Sequence, residues 1–445
     1  MHKVGPKTYY IDTFGCQMNV SDSEVVESIL KNEGCVQASK IEKADIVFVN
    51  TCAIRDHAEK KVHSQLGRYA KLKLANKNLI IGVLGCMAQS LKDDLLEKKP
   101  YVDIILGPDS YRKLPLYLNR SSKKYLNNVD TKLSRFEVYD NIFPSRAEGI
   151  NAWVSIMRGC DKFCSFCIVP FTRGRERSRS VESIVCEISQ AISDGFKEIT
   201  LLGQNVNSYN YNGKNFQYLL EEIAGIKGLM RIRYTSPHPQ DITEKLLYTM
   251  SNYDNICNYI HLPLQSGSDR ILKRMNRSYT RDHYINLVKK IKSFLPNAGI
   301  STDIIVGFPG ETQEDFTQTL DLMSKVKFDS AFMFKYSPRR GTKATEYVDQ
   351  LDEKEKQSRL EDVIKLQKQH TLEKNKKLVG TEVLVMVEKE SKKSPDRWAG
   401  RTDSNKWVIF DKHDSKIKDI VKVKITDTKG ISLQGNIISK AIGAS

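Results

Sequence analysis

The run Ala152-Trp153-Val154-Ser155-Ile156-Met157 leads directly into Gly159-Cys160-Asp161-Lys162-Phe163-Cys164-Ser165-Phe166-Cys167. Three cysteines at C-x3-C-x2-C spacing thus follow a short apolar, strand-like segment. Thiolates are soft ligands that select zinc, copper(I) or iron–sulfur centres. A closed structural site takes four ligands. Three ligands in one loop therefore describe a metal with one coordination position open, unless a distant residue completes a zinc site.

The segment around this loop decides the fold. From Asn151 onward, strand patterns alternate with helical ones such as Ser183 to Ile192 and Asp282 to Phe294. Strands are expected at Ala152 to Met157, Glu198 to Leu202, Arg231 to Tyr234, Tyr259 to Leu262, Ser301 to Val306 and Ala331 to Tyr336. Six β/α units are fewer than the eight of a closed barrel, so a partial, open (β/α)6 barrel is expected. Such a barrel gathers its post-strand loops at one mouth. Those loops carry Gly203, Gln204 and Asn205, then Ser236, then Gln265, then Gly307. Amides and hydroxyls suit a polar zwitterionic ligand with a ribose, and glycines allow its close approach. His238, between two prolines, reads as a packed turn residue.

Upstream, strands are expected at Thr8 to Ile11, Ala44 to Asn50, Leu79 to Leu84 and Tyr101 to Leu106, separated by helical patterns. This rhythm implies a parallel α/β sheet. Cys16, Cys52 and Cys86 each lie just past a strand end. Strand ends of a parallel sheet share the ligand-binding edge, so these cysteines can converge. Cys35, Cys186 and Cys257 lack such a placement and read as ordinary buried or half-buried cysteines.

After the cysteine loop come Arg173, Arg175, Arg177 and Arg179, at every second position. In an extended segment they would point to one side, a footprint for phosphate. From about Gly380 the pattern changes to short strands with Trp398 and Trp407, as in a small basic all-β barrel of the kind that binds nucleic acid. The 445-residue chain carries a formal net charge of +16, which suggests an anionic partner such as nucleic acid. No apolar run approaches a membrane span and no signal peptide is evident, so a cytoplasmic protein with reduced thiols is expected. The nine cysteines then argue for metal or chemistry rather than a disulfide framework.

In this order the three parts resemble the radical-SAM methylthiotransferases. The resemblance rests on Thr13-Phe14-Gly15-Cys16-Gln17-Met18-Asn19 and on Gly159 through Arg179, and it covers nearly the whole chain. It implies a methylthiotransferase domain over 6–122, a linker over 123–145, a radical-SAM core over 146–376 and a TRAM domain over 379–442. It implies a [4Fe–4S] cluster on Cys160, Cys164 and Cys167 that binds S-adenosylmethionine (SAM), and an auxiliary [4Fe–4S] cluster on Cys16, Cys52 and Cys86. Gly203, Gln204, Asn205, Ser236, Gln265 and Gly307 would contact SAM, and the arginine segment would contact RNA. No catalytic side chain beyond the clusters is implied.

Within the family, Gln17-Met18 resembles the branch acting on tRNA. The implied reaction is methylthiolation of C2 of N6-(dimethylallyl)adenosine at position 37, through a 5′-deoxyadenosyl radical and a second SAM as methyl donor. The implied partners are the anticodon stem-loop, an electron donor and a sulfur source, with the enzyme a monomer. The rival readings are a methylthiotransferase for threonylcarbamoyl-adenosine tRNA or a ribosomal protein, and an iron–sulfur or zinc RNA-binding protein without catalysis.

Overall fold

The structure is a computed structural model that describes residues 5–52, 56–120 and 128–440. Its first unit is a six-stranded parallel sheet of β1 (Thr8–Phe14), β2 (Val36–Gln37), β3 (Ile46–Thr51), β4 (Ile80–Gly85), β5 (Ile104–Leu106) and β6 (Asn128–Asp130). The spatial order is β2-β1-β3-β4-β5-β6. The chain winds outward from β1 in both directions, so a crevice opens at the switch point between β1 and β3. β3 is buried along its whole length, as expected of a strand covered on both faces. Val25, Val26, Ile29 and Leu30 of the helix Gln17–Asn32 pack one face around Phe48 and Leu84. Val62, Leu66 and Tyr69, with Met87 and Ala88, pack the other face around Val47, Val49 and Val83.

One expectation about the connecting segment is corrected here. The stretch 123–145 was expected to be a linker, but Asn128–Asp130 supplies the sheet's sixth strand. Farther along, Tyr139 turns through φ 61° and buries its ring against Tyr111, 5.6 Å away. Residues 123–127 lie outside the described residues, as do 121–122 and 441–442.

The central unit is the expected open barrel. β7 (Asn151–Ser155), β8 (Glu198–Leu202) and β9 (Arg231–Tyr234) form one parallel half. β10 (Tyr259–His261), β11 (Gly299–Val306) and β12 (Ser330–Lys335) form the other. Residues 255–257 join the halves, because Ile232 N donates to Asn255 O at 2.7 Å and Cys257 N to Ile232 O at 2.9 Å. The outward residues Ile199, Leu201, Ile232, Ile260, Ile300 and Ile304 form one apolar core with the surrounding helices.

The third unit is a closed five-stranded barrel of β13 (Glu382–Ser391), β14 (Ser394–Thr402), β15 (Trp407–Asp411), β16 (Ile420–Lys429) and β17 (Ser432–Lys440). It docks under the N-terminal ends of the central strands. Arg233 donates to Thr402 O at 2.8 Å and to Asp403 O at 3.0 Å, and Arg231 donates to Arg401 O at 2.6 Å. Glu198, the first residue of β8, accepts from Arg401 at 3.1 Å, and Asp329, just before β12, pairs with Lys406 at 2.7 Å. The small barrel therefore lies at the opposite end of the central barrel from the cysteine loop.

Candidate metal centre

The loop Cys160–Cys167 is held by each of the five loops that follow the later strands. Gly159 N donates to Gln204 Oε1 at 2.5 Å. Lys162 pairs with Asp241 at 2.7 Å. Arg277 Nη1 donates to Cys164 Sγ at 3.2 Å. Phe166 meets Phe308 edge-on at 6.5 Å, and Ala344 N donates to Ser165 O at 2.8 Å. Gly159 is obligatory at φ 82°, since a Cβ there would fall 2.0 Å from Arg175 O. The three cysteines are half-buried, and burial pushes Cys160 up to about 11 and Cys167 up to about 12. Thiols held this way ionise when a metal takes the charge.

The expected SAM residues divide. Gln204 anchors Gly159, as above. Asn205 is buried, donating to Asp241 at 3.0 Å and accepting from His238 N at 3.2 Å. Ser236 and Gln265 hold left-handed backbone at φ 57° and 69°, and Gln265 Oε1 is buried without a partner. At Gly203 and Gly307 the space that a side chain would take is filled by protein. A Cβ at Gly203 would meet Met157 Cγ at 2.6 Å, and one at Gly307 would meet Lys356 Cγ at 2.4 Å. Packing alone therefore accounts for a glycine at both positions. His238 is a packed turn residue: its Nδ1 accepts from Gln240 N at 3.2 Å, and burial pushes its ring pKa down to about 2.

The second cysteine set sits in the switch-point crevice of the first sheet. Cys16 caps the helix that leaves β1, with its N–H donating to Asn19 Oδ1 at 3.3 Å. Cys52 directly follows β3, and Cys86 opens the helix that leaves β4. A Cβ at Gly15 (φ 132°) would lie 2.7 Å from Cys52 Cβ, so a glycine lets the first two strand ends meet. A hydrogen bond from Cys52 pulls the Cys16 thiol down to about 6, while burial pushes Cys86 up and Cys16 adds to the effect. The three thiols are thus electrostatically coupled.

The arginine segment is corrected. It is not extended throughout: Val169–Arg173 is helical, Gly174 turns the chain at φ 72°, and only Arg177–Ser178 is a short strand, paired with Met157–Arg158. Arg173, Arg177 and Arg179 are buried, and only Arg175 is exposed, paired with Asp161 at 2.5 Å. Arg179 pairs with Glu187 at 2.5 Å and Arg177 with Asp109 at 2.7 Å. Arg173 donates to Asp22 at 2.8 Å and to Cys86 Sγ at 3.2 Å. Asp22 also accepts from Arg158 at 2.9 Å. One-sided phosphate binding by all four is therefore excluded by burial. Asp22, Asp109, Arg158 and Arg277 carry these contacts from distant positions, and no local sequence pattern marks them.

Both cysteine sets fit iron–sulfur clusters by donor chemistry. Each offers three cysteines with an arginine on one of the thiols, Arg277 on Cys164 and the buried Arg173 on Cys86. Among the described residues no three His, Cys, Asp or Glu side chains close around a single ion. A four-iron cube holds its thiolates farther apart than one ion does. The helix Val169–Arg173 joins the sets, with Cys167 just before it and Arg173 at its end touching Cys86. Five residues of helix rise about 7–8 Å.

Residues 8–107 match the model of "Uncharacterized protein family UPF0004", 154–323 that of the "Radical SAM superfamily" and 376–438 that of the "TRAM domain". A tRNA-2-methylthio-N(6)-dimethylallyladenosine synthase from Christiangramia forsetii is 46% identical over 96% of this chain and 93% of its own. Its counterpart from Carboxydothermus hydrogenoformans is 46% identical over 97% and 99%. In fold, the chain is similar to the radical S-adenosylmethionine methyltransferase TsrM from Kitasatospora setae, with a TM-score of 0.56 at 12% identity over 74% of this chain and 72% of that one. It is also similar to the cobalamin-dependent S-adenosylmethionine radical enzyme OxsB, with a TM-score of 0.54 at 15% identity over 80% and 56%.

Proposed function

The chain belongs to the tRNA-2-methylthio-N(6)-dimethylallyladenosine synthase family, and from that premise we infer that it attaches a methylthio group at C2 of N6-(dimethylallyl)adenosine in tRNA. It is a radical-SAM transferase that works with two [4Fe–4S] clusters and SAM. We assign the SAM-binding cluster to Cys160, Cys164 and Cys167, and the auxiliary cluster to Cys16, Cys52 and Cys86. The adenosine at position 37, beside the anticodon, is the target.

The observation that carries this reading is the short helix Val169–Arg173. It places Cys167 and Cys86 at opposite ends of one turn-and-a-half of chain. C2 of adenine bears a hydrogen that no protein base removes, so the cofactors must do the hard step. When bound, the clusters and SAM supply a radical that takes this hydrogen, together with the sulfur and methyl that replace it.

The chain's own residues position the parts. Gln204, Asp241, Arg277, Phe308 and Ala344 fix the cysteine loop from five directions. Arg277 places a cation against Cys164 Sγ. Gln204, Asn205, Ser236 and Gln265 remain the SAM candidates, with the free Gln265 Oε1 able to accept from an amino or hydroxyl group. Arg175, exposed and at the lip of the loop, is the candidate RNA contact of its segment.

Nucleoside analysis of tRNA from cells lacking the protein tests the substrate. The expected result is prenylated adenosine without its methylthio group; unchanged methylthio levels would reject the assignment. Iron analysis of anaerobic Cys160→Ala and Cys16→Ala protein should show one four-iron cluster lost in each.

A further inference from the structure

We propose that Arg173 is the positioning residue of the auxiliary centre, a buried guanidinium that holds Cys86 with one nitrogen and offers another to the anionic sulfur ligand taken up there. This rests on the assignment of Cys16, Cys52 and Cys86 as cluster ligands. Arg173 is 3% exposed, and its three nitrogens have different fates. Nε donates to Cys86 Sγ at 3.2 Å, and Nη2 donates to Asp22 at 2.8 Å. Nη1 is buried and has no acceptor. A buried donor left unsatisfied is costly, and in native structures it usually marks a ligand site or a functional role. Asp22, Cys86, Cys16 and Tyr111 are the polar groups acting on this guanidinium, and two of these four are the sulfurs themselves.

The surrounding charges point the same way. Arg158, Arg173 and Arg177 form a connected network with Asp22 and Asp109. All five are buried, so three positive charges face two negative ones. A buried surplus charge requires a counter-charge nearby. Three thiolates on a four-iron core of charge 2+ leave one negative charge, which balances the surplus. An incoming hydrosulfide-class ligand adds a further negative charge, and the free Nη1 is the donor placed to receive it. Guanidinium is suited to this role because it stays charged and presents several N–H groups at fixed angles. Arg158 already bridges Asp22 to the central unit, so Arg173 is not required merely to join the two units.

The test uses the holoenzyme with both clusters, as wild type, Arg173→Gln, Arg173→Lys and Arg177→Gln. Arg177 shares the network but bonds only Asp109 and the backbone oxygens of Glu137, Arg173 and Arg175, so Arg177→Gln controls for general disturbance. Redox titration followed by electron paramagnetic resonance should move the auxiliary centre to more negative potential in Arg173→Gln. The centre on Cys160, Cys164 and Cys167 should stay put. Sodium sulfide should perturb the auxiliary signal in wild type, at a concentration at least about tenfold lower than in Arg173→Gln. Arg173→Lys, which keeps the charge, should stay near wild-type potential. A wild-type midpoint and sulfide response in Arg173→Gln would overturn the proposal, as would an equal shift in Arg177→Gln. If Arg173→Gln does not hold the auxiliary cluster, Arg173→Lys decides. A wild-type response there supports the role, and loss of the cluster rejects it. Retention of both clusters by Cys16→Ala would instead sink the ligand assignment, and normal tRNA in cells lacking the protein would sink the function.

Discussion

Glu24 competes with Glu187 for a single cation. Arg146 lies 3.5 Å from Glu24 but gives its hydrogen bond to Glu187. Burial pushes the Glu24 carboxyl up to about 7, with Arg146 opposing and Glu187 adding. The folded chain thus keeps a proton that the unfolded chain releases above its ordinary value of 4.5. Stability from this group is full below that value and is lost as pH rises through about 7. Denaturant unfolding at pH 5 and pH 8 should show a drop of about 2–3 kcal/mol that Glu24→Gln flattens. Asp22 is the opposite case. Burial would raise it, but Arg158 and Arg173 overcome this and hold it below the usual carboxylate range. Asp22→Asn would leave two buried guanidiniums short of a counter-charge, and unfolding experiments should show a loss of about 3–5 kcal/mol. The candidate ligands stood out in the sequence because cysteines are rare, with Cys160, Cys164 and Cys167 close together and Cys16, Cys52 and Cys86 each just past a strand. Asp22 was not, since its partners are 136 and 151 residues away and no periodicity links them.

At the scale of elements, the strand ends do the work. Cys16, Cys52 and Cys86 converge because parallel strands deliver their C-terminal ends to one edge, and the β2-β1-β3 order opens that edge between β1 and β3. This was legible from the alternation of strand and helix. The turn chemistry behind it was legible only as glycines next to cysteines. Gly85 stands at φ 91°, and a Cβ there would fall 2.4 Å from Asn50 Oδ1 and 2.7 Å from Thr51 O. Asn50 in turn laces to Asn19 and Ser23 at 2.9 Å each. Gly85→Ala should therefore cost about 1–3 kcal/mol in thermal or denaturant unfolding. It should also lower iron retention at the auxiliary set, while iron on Cys160, Cys164 and Cys167 is kept. The arginine segment misled for the converse reason. Period-two spacing gives one-sided side chains only in a strand, and here a helix and the Gly174 turn send three arginines inward to carboxylates of other elements.

At the scale of the whole molecule, chemistry and the expected RNA-binding barrel occupy opposite ends of the central barrel. The eight residues of β11 span about 26 Å. Its first residue, Gly299, abuts Ser404 of the small barrel, while Phe308, just past its end, meets Phe166 of the cysteine loop. No sequence pattern gave this placement, because it depends on pairs such as Arg233 with Thr402 and Glu198 with Arg401 that join separate units. The tryptophans of the small barrel are each covered by cations. Lys389 stands 4.5 Å over Trp407, and Lys412 stands 4.4 Å over Trp398. A partner held there and at the cysteine loop must run the length of the barrel, as a tRNA can and an isolated nucleoside cannot. Lys389→Ala with Lys412→Ala should then weaken tRNA binding and reduce the salt slope of its logarithm by about 2. SAM cleavage measured without RNA should be unchanged, because the cysteine loop and its five anchoring contacts lie a full strand length away. A fall in RNA-free cleavage equal to the fall in tRNA binding would mean that the small barrel acts on the chemistry directly, and its role as a distant handle for RNA would have to be abandoned.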